Sequence, residues 1–203
     1  MEIKSDTEKL ILEAARKVFT EKGLDGARMQ EIADRANINK AMLHYYFRSK
    51  DKLFESVFKA AFNEFWPEIT KSINESANVE DFLKRAISSY VDLFMDKPFL
   101  PIFILSEVNR TPDRLESLIR EGGVNPHLIV EYLKEQMDLG KLKAMDPKEL
   151  LVNVISLCIF PFAGKSLIER MIFQGDKESC ESFLQERKKS IYEFLKPLII
   201  ANN

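Results

Sequence analysis

Lys40, Ala41, His44, Tyr45 and Tyr46 fall within seven residues, and Lys50 follows shortly after. Ammonium, phenol and imidazole groups at that density can hydrogen-bond phosphate oxygens and base edges, and an alanine methyl can meet the methyl of thymine. Arg28, Gln30 and Asn39 stand just upstream and join the set. The chemistry this set supports is recognition of duplex DNA. Lys40, Ala41 and Tyr45 are expected at base edges, Gln30 at a base or phosphate, and Arg28, His44, Tyr46 and Lys50 at the backbone. Ordinary amphipathic cover is the competing reading of the three aromatic residues, and the lysines on either side weigh against it.

Such groups work only if a scaffold aims them. Residues 30–36 read as a short helix with Ile32, Ala33 and Ala36 on one face, small enough for a second helix to approach closely. Asn37 stands where the chain must turn, and asparagine tolerates the left-handed conformation that a helix end often requires. Ile38 plugs the corner. Asn39 is a good N-cap for a second helix over 40–47, whose Leu43 and Phe47 face inward at i, i+4 spacing. Two short helices joined by a tight turn, with a basic patch after them, have the layout of a helix-turn-helix. Lys50 opens the next helix, whose N-terminal amides also attract phosphate.

Residues 8–60 resemble the N-terminal domain of the TetR (tetracycline-repressor-type) transcriptional regulators. The resemblance rests on Ile32-Ala33, Ala36-Asn37-Ile38-Asn39-Lys40, Leu43-His44-Tyr45-Tyr46-Phe47 and Ser49-Lys50-Asp51-Lys52-Leu53, all four blocks at matching spacing. Asn37 replaces the customary turn glycine, Asn39 the Ser/Thr cap, and His44 a tyrosine that commonly touches phosphate. Arg28 stands where Thr or Ser usually caps the first short helix. The resemblance implies an all-α chain: an N-terminal three-helix DNA-binding domain, then a helical effector-binding and dimerisation domain. The expected division is 1–52 and 53–203, with the boundary inside a linking helix.

Net charge is −2, yet residues 1–52 hold eleven Lys and Arg against nine Asp and Glu, so the positive excess lies on the candidate DNA-binding side. Each phosphate contact adds to the salt dependence of binding, and the acidic remainder should stay off DNA. With 45% hydrophobic content the 203-residue chain can bury a real core and exceeds what one small DNA-binding module needs. Cys158 and Cys180 form neither a metal-ligand spacing nor a disulfide framework, and MEIKSDTEKL lacks the apolar core of a signal peptide. No apolar run reaches the ~18 residues that suggest a membrane helix. A cytoplasmic protein without metal or cofactor is expected. Two histidines, with no phosphate-binding glycine loop, CxxC, HExxH or GxSxG, leave an enzyme reading nothing to build on.

Apolar residues recur at three and four throughout, so about nine helices are expected. Ser5 with Glu8 makes a capping box for a first helix that buries Leu10, Ile11, Ala14, Ala15, Val18 and Phe19 and ends at Gly23. A long linking helix begins near Asp51, and Pro67 must kink or end its first part. Further helices are expected at 79–96, 99–109, 112–138, 147–173 and 177–200, with Pro98, Pro112 and Pro147 marking starts.

The last two helices are apolar on many sides. Leu150, Val154, Leu157, Phe183, Ile191, Phe194, Leu195 and Leu198 are candidates for a dimer interface, against the simpler reading of a monomeric core. The resemblance implies an interface of two helices per subunit. Two-fold symmetry would pair two recognition helices with the half-sites of a palindromic operator. Phe62, Phe65, Trp66, Phe94, Phe103, Phe160 and Phe162 could line a pocket for a lipophilic or aromatic effector, with Glu107 and His127 fixing its orientation. Each aromatic residue taken singly fits the core equally well. Pro161 near Gly164 is either a packing accommodation or a kink that shapes the pocket.

The resulting expectation is a homodimeric repressor, released from its operator by a small molecule. An activator or effector-independent regulator of the same fold uses the same DNA surface. A ligand-sequestering helical protein with a vestigial DNA domain is the alternative from another class.

Overall fold

The computed structural model describes residues 6–110, 112–121 and 125–201. The side chains of Phe62, Phe65, Trp66, Phe103, Glu107, Asn109 and Arg110 fall outside the described residues, as does Ser5 of the expected capping box.

Eleven helices are present among the described residues: α1 (Asp6–Gly26), α2 (Met29–Arg35), α3 (Lys40–Tyr46), α4 (Lys50–Glu75), α5 (Val79–Asp96), α6 (Phe99–Arg110), α7 (Pro112–Glu121), α8 (Pro126–Asp138), α9 (Pro147–Ala163), α10 (Lys165–Met171) and α11 (Lys177–Ile199). A single antiparallel bridge, Leu142 with Ile200, ties the end of α11 to the loop after α8.

Short polar side chains start most of these helices. Asn39, Ser49, Asn78, Asn125, Asp146 and Asp176 each accept a backbone N–H from two or three residues on, satisfying one of the donors that a helix N-terminus leaves open. At α5 the start is tied further, because Asp81 accepts from the N–H of Ala77, the residue before the cap, at 3.2 Å.

α1 buries Ile11, Ala14, Ala15, Val18 and Phe19 as expected, and Gly23 at φ 67° breaks its helical geometry before a last turn to Gly26. Leu10 does not join them: it is 54% exposed, because the buried stripe is centred on Ile11, about 100° further round the helix. α4 runs through Pro67 to Glu75 without ending there. Pro67 is exposed, so the carbonyl it frees stays within reach of water.

Two expected helices divide, which raises nine to eleven. The segment 112–138 becomes α7 and α8, the second capped by Asn125 with Pro126 at its start. The segment 147–173 breaks at Gly164 into α9 and α10, which lie 69° apart. Pro161 contributes to that break, since it cannot donate to the Leu157 carbonyl one turn back. The Arg187 guanidinium of α11 donates to that carbonyl instead, at 3.0 Å.

α1, α2 and α3 pack with the start of α4 into one small bundle, while α5 lies along α4, α9 and α11. An edge-on aromatic series joins the two regions: Phe19 meets Phe54 at 4.6 Å between centroids, and Phe54 meets Phe99 at 5.9 Å. Among the described residues no single helix is long and apolar enough to cross a membrane, and no cluster of three or more His, Cys, Asp or Glu is arranged to hold a metal.

Candidate nucleic-acid interface

The turn between α2 and α3 is closed by two backbone bonds. Ile38 N–H donates to the Ala33 carbonyl at 3.0 Å and Asn37 N–H to that of Asp34 at 3.1 Å. This is a Schellman closure with Asn37 in the left-handed position at φ 54°. Ala36 is buried and Ile38 packs half-buried against the core, so the corner is filled as well as hydrogen-bonded. Asn39 Oδ1 then accepts from Met42 N–H at 2.7 Å and starts α3.

Leu43 and Phe47 pin α3 to the bundle, both buried. That anchoring leaves Lys40, Ala41, His44 and Tyr45 exposed on the outer side, with Tyr45 82% exposed. Tyr46 is half-buried, its ring edge-on to that of Tyr45 at 5.5 Å. His44 Nδ1 lies 3.3 Å from the Arg48 carbonyl, which orients the imidazole. A seven-residue helix therefore presents a phenol, an imidazole, an ammonium and a methyl to solvent.

Ion pairs hold α2 against α1. Arg35 grips Glu21 through both guanidinium nitrogens, at 2.7 and 2.5 Å, and Lys22 meets Glu31 at 2.7 Å. The Arg35 hydrogen bond holds the Glu21 carboxyl below its ordinary range. Arg35 thus has a structural task, whereas Arg28 and Gln30 are exposed at the start of α2. Arg28 provides no side-chain cap, and Gln30 donates to Asp34 at 2.8 Å.

Lys50 sits differently from a plain phosphate contact. Its Nζ reaches back to the carbonyls of Ala27 at 3.2 Å and Asp25 at 3.3 Å, tying the head of α4 to the α1–α2 connection. Met42 and Arg48 are exposed beside the outer side of α3 and were not assigned from sequence. Arg48 was legible as a basic residue just beyond the helix end; Met42 carried no chemical signal.

The expected effector residues are dispersed. Phe94 and Phe162 are both buried and pack together at 5.6 Å, Phe160 is 62% exposed, and His127 lines a separate cavity of about 370 Å³ with Leu115 and Ile119. The side chains of Phe62, Phe65, Trp66, Phe103 and Glu107 lie outside what the structure describes.

Of the expected interface residues, Leu150, Val154, Ile191 and Leu195 belong to the protomer's own core, because α9 and α11 pack on α5 through them. Leu157 and Phe183 are half-buried, and Phe194 and Leu198 are exposed. Helical periodicity alone could not tell the core side of α9 and α11 from the outer side, since both are apolar.

Two short helices joined by a closed turn, the second anchored by its inner residues and polar outside, form a helix-turn-helix module of a DNA-binding regulator. Residues 11–57 match the family model of bacterial regulatory proteins of the tetR family. The chain is 30% identical over 168 residues to the HTH-type transcriptional regulator YhgD of Bacillus subtilis (strain 168), spanning 76% of this chain and 81% of that protein. It is 28% identical over 161 residues to the HTH-type transcriptional repressor NicS of Pseudomonas putida, spanning 74% and 73%. Its fold matches that of FadR from Bacillus subtilis, solved in complex with stearoyl-CoA, with a TM-score of 0.69 at 20% identity over 92% of this chain and 96% of that one. The chain belongs to the TetR family of transcriptional regulators. These relatives are regulators, not enzymes.

Proposed function

We propose that the protein is a homodimeric repressor that binds a palindromic operator through α3 and releases it when a small lipophilic or aromatic molecule occupies the region after residue 52. Residues 1–52 form the DNA-binding domain in this reading, and 53–203 the effector-binding and dimerisation domain. The observation that carries it is the outer side of α3, where Lys40, Ala41, His44 and Tyr45 stand clear of the protein's own core. Arg28 and Gln30 flank it from α2, Asn39 from the turn, and Tyr46 and Lys50 support it from behind.

Dimerisation is supported by apolar surface on α9, α10 and α11, three helices in mutual contact. Phe160, Leu167, Met171, Ile172, Phe194 and Leu198 are all exposed on these helices, and large exposed apolar side chains grouped on neighbouring helices suit a contact with another subunit. Repression is the named activity of NicS, and a lipophilic effector agrees with the stearoyl-CoA held by FadR. The mechanism is a population shift: an effector that prefers the conformation with recognition helices wrongly spaced weakens operator binding by its differential affinity, typically about 1–3 kcal/mol.

Selection from random duplexes, read by fluorescence anisotropy at rising salt, tests this proposal. It requires enrichment of a palindrome whose half-sites lie about one helical turn apart, roughly 10 base pairs. Titration of stearoyl-CoA and simpler aromatic compounds against the selected site then tests release. Weak binding with no enriched sequence would refute the proposal.

A further inference from the structure

His44 is exposed on the outer side of α3 with one ring nitrogen already committed. Its Nδ1 lies 3.3 Å from the carbonyl of Arg48, four residues on. A carbonyl only accepts, so Nδ1 carries a hydrogen and donates it. In the neutral ring the other nitrogen, Nε2, then keeps a lone pair and no hydrogen. A phosphate oxygen also only accepts, so a neutral His44 has nothing to give it. The protonated ring carries a hydrogen on each nitrogen, keeps its bond to Arg48 and offers Nε2–H to a phosphate as a charge-assisted donor.

The charges around the ring decide where a counter-ion must come from. Lys40 stands one helical turn before it in the chain and Arg48 one turn after. α2 packs on α3 and, with its cap, carries Arg28, Glu31, Asp34 and Arg35. Glu31 is drawn to Lys22 and Arg35, and Asp34 takes a hydrogen bond from Gln30. α4 opens with Lys50, held by the Asp25 and Ala27 carbonyls, and Asp51, which has a partner of its own. Among the described residues no carboxylate, that of Asp25 at the end of α1 included, pairs with the imidazole. Neighbouring cations oppose a further positive charge on the ring, and a DNA phosphate would offset them.

From the committed Nδ1, the exposed Nε2 and the cations on either side, we infer that DNA binding takes up one proton at each His44, so that the protein holds its operator more tightly in mildly acid than in mildly alkaline solution. The inference rests on α3 lying against DNA, as proposed above. Imidazole is the side chain whose ordinary titration falls between about pH 5 and 8. Below that range the ring is charged and the phosphate contact is present; as pH rises through it, Nε2 loses its hydrogen and the contact is lost. By reciprocity the proton and the DNA raise each other's affinity by the same factor.

The test uses the full chain and the duplex selected from the random pool, with anisotropy read at pH 6, 7 and 8 and constant ionic strength. Affinity should rise by about tenfold or more from pH 8 to pH 6, since each proton taken up can change it by up to about tenfold per pH unit. The salt slope should be steeper at pH 6 by about one per protomer, the mark of one more phosphate contact. His44→Gln keeps a neutral donor at every pH, so both quantities should be flat in that variant, whereas His127→Gln should keep the rise. Isotope-labelled histidine rings give a second readout: duplex added at pH 7.5 should place a hydrogen on Nε2 of His44 and leave His127 unchanged. Equal affinity at pH 6 and pH 8, an undiminished rise in His44→Gln, or a His44 Nε2 without hydrogen in the saturated complex would overturn the inference. A palindrome selected and held equally tightly at both pH values would overturn it alone and leave the repressor proposal standing, whereas no selected sequence at either pH would overturn both.

Discussion

The Arg187 guanidinium occupies the place of the backbone N–H that Pro161 lacks, donating to the Leu157 carbonyl at 3.0 Å. A proline inside a helix leaves the carbonyl four residues back without its partner, and a buried carbonyl left unpaired is costly. α9 therefore keeps its course up to the Gly164 break with a side chain from α11 completing its hydrogen bonding. The same arginine lies over the ring of Phe183, one turn back on α11, at 5.6 Å, which steadies the guanidinium that reaches across to α9.

This pairing predicts non-additivity. Arg187→Met should lower unfolding stability by about 1–3 kcal/mol, the usual range for stranding a buried polar group. In a Pro161→Ala background the Leu157 carbonyl regains a helical donor, and the same substitution should cost distinctly less. Denaturant melts of the four proteins decide it; equal losses in both backgrounds would show that the guanidinium and the proline are unrelated.

The turn of the DNA-reading module makes a second prediction. Asn37→Ala places an alanine at φ 54°, a conformation that costs roughly 1 kcal/mol or more without a side chain able to bond locally. Asn39→Ala removes the acceptor of the Met42 N–H and should cost about 1 kcal/mol. Asn37→Gly should be tolerated. Thermal melts that ranked Asn37→Gly below Asn37→Ala would contradict the left-handed closure.

These residues also show what was legible beforehand. Asn37, Asn39, Leu43 and Phe47 announce their roles because caps, left-handed turns and i, i+4 anchors depend on local chemistry, and the structure places them accordingly. The division between α7 and α8 and the break at Gly164 were less visible, since apolar spacing persists on both sides of each. Lys50 looked like a phosphate ligand by charge, yet its partners are the carbonyls of Asp25 and Ala27, a contact that only tertiary folding creates. The apolar residues of α9 and α11 could not be divided into inner and outer sides from sequence, because that division depends on where α5 lies.

Across α5 and α11, Tyr192 donates its hydroxyl to Glu80, and Lys196 stands 3.4 Å from the same carboxylate. The Tyr192 hydrogen bond is the main cause that holds the Glu80 carboxyl below its ordinary range. A depressed carboxyl contributes stability that is present above its unfolded value, about 4.3, and lost as pH falls through the folded one. Burial, and secondarily the Glu80 bond, push the Tyr192 phenol up, so a second loss begins as pH rises above about 10. Tyr192→Phe should flatten both limbs of the stability–pH curve. A Phe variant that kept the acid limb unchanged would assign that limb to other carboxylates.

Met171 is 74% exposed and Phe194 62%, so neither holds the protomer together. Met171→Lys and Phe194→Glu should leave helicity and melting nearly unchanged at high dilution, within about 0.5 kcal/mol, as surface changes usually do. They should nevertheless shift sedimentation from dimer towards monomer, since a charge would be buried against an apolar partner surface. Sedimentation identical to that of the unaltered protein would remove α10 and α11 from the interface.

The outer side of α3 yields the most direct test. Tyr45→Ala and Lys40→Ala should each weaken operator binding by about 1–3 kcal/mol if they reach base edges, and should relax preference at particular base pairs. Arg28→Ala, assigned to the backbone, should instead weaken all duplexes alike and reduce the salt slope by about one. The two outcomes differ because base contacts distinguish sequences and phosphate contacts do not. Lys50→Met adds a contrast: its ammonium braces the α1–α2 connection, so the variant should melt earlier as well as bind less. Anisotropy titrations against the selected site and a scrambled duplex, with melts run in parallel, separate reading from bracing. Unchanged operator affinity in both Tyr45→Ala and Lys40→Ala would move the recognition surface off α3.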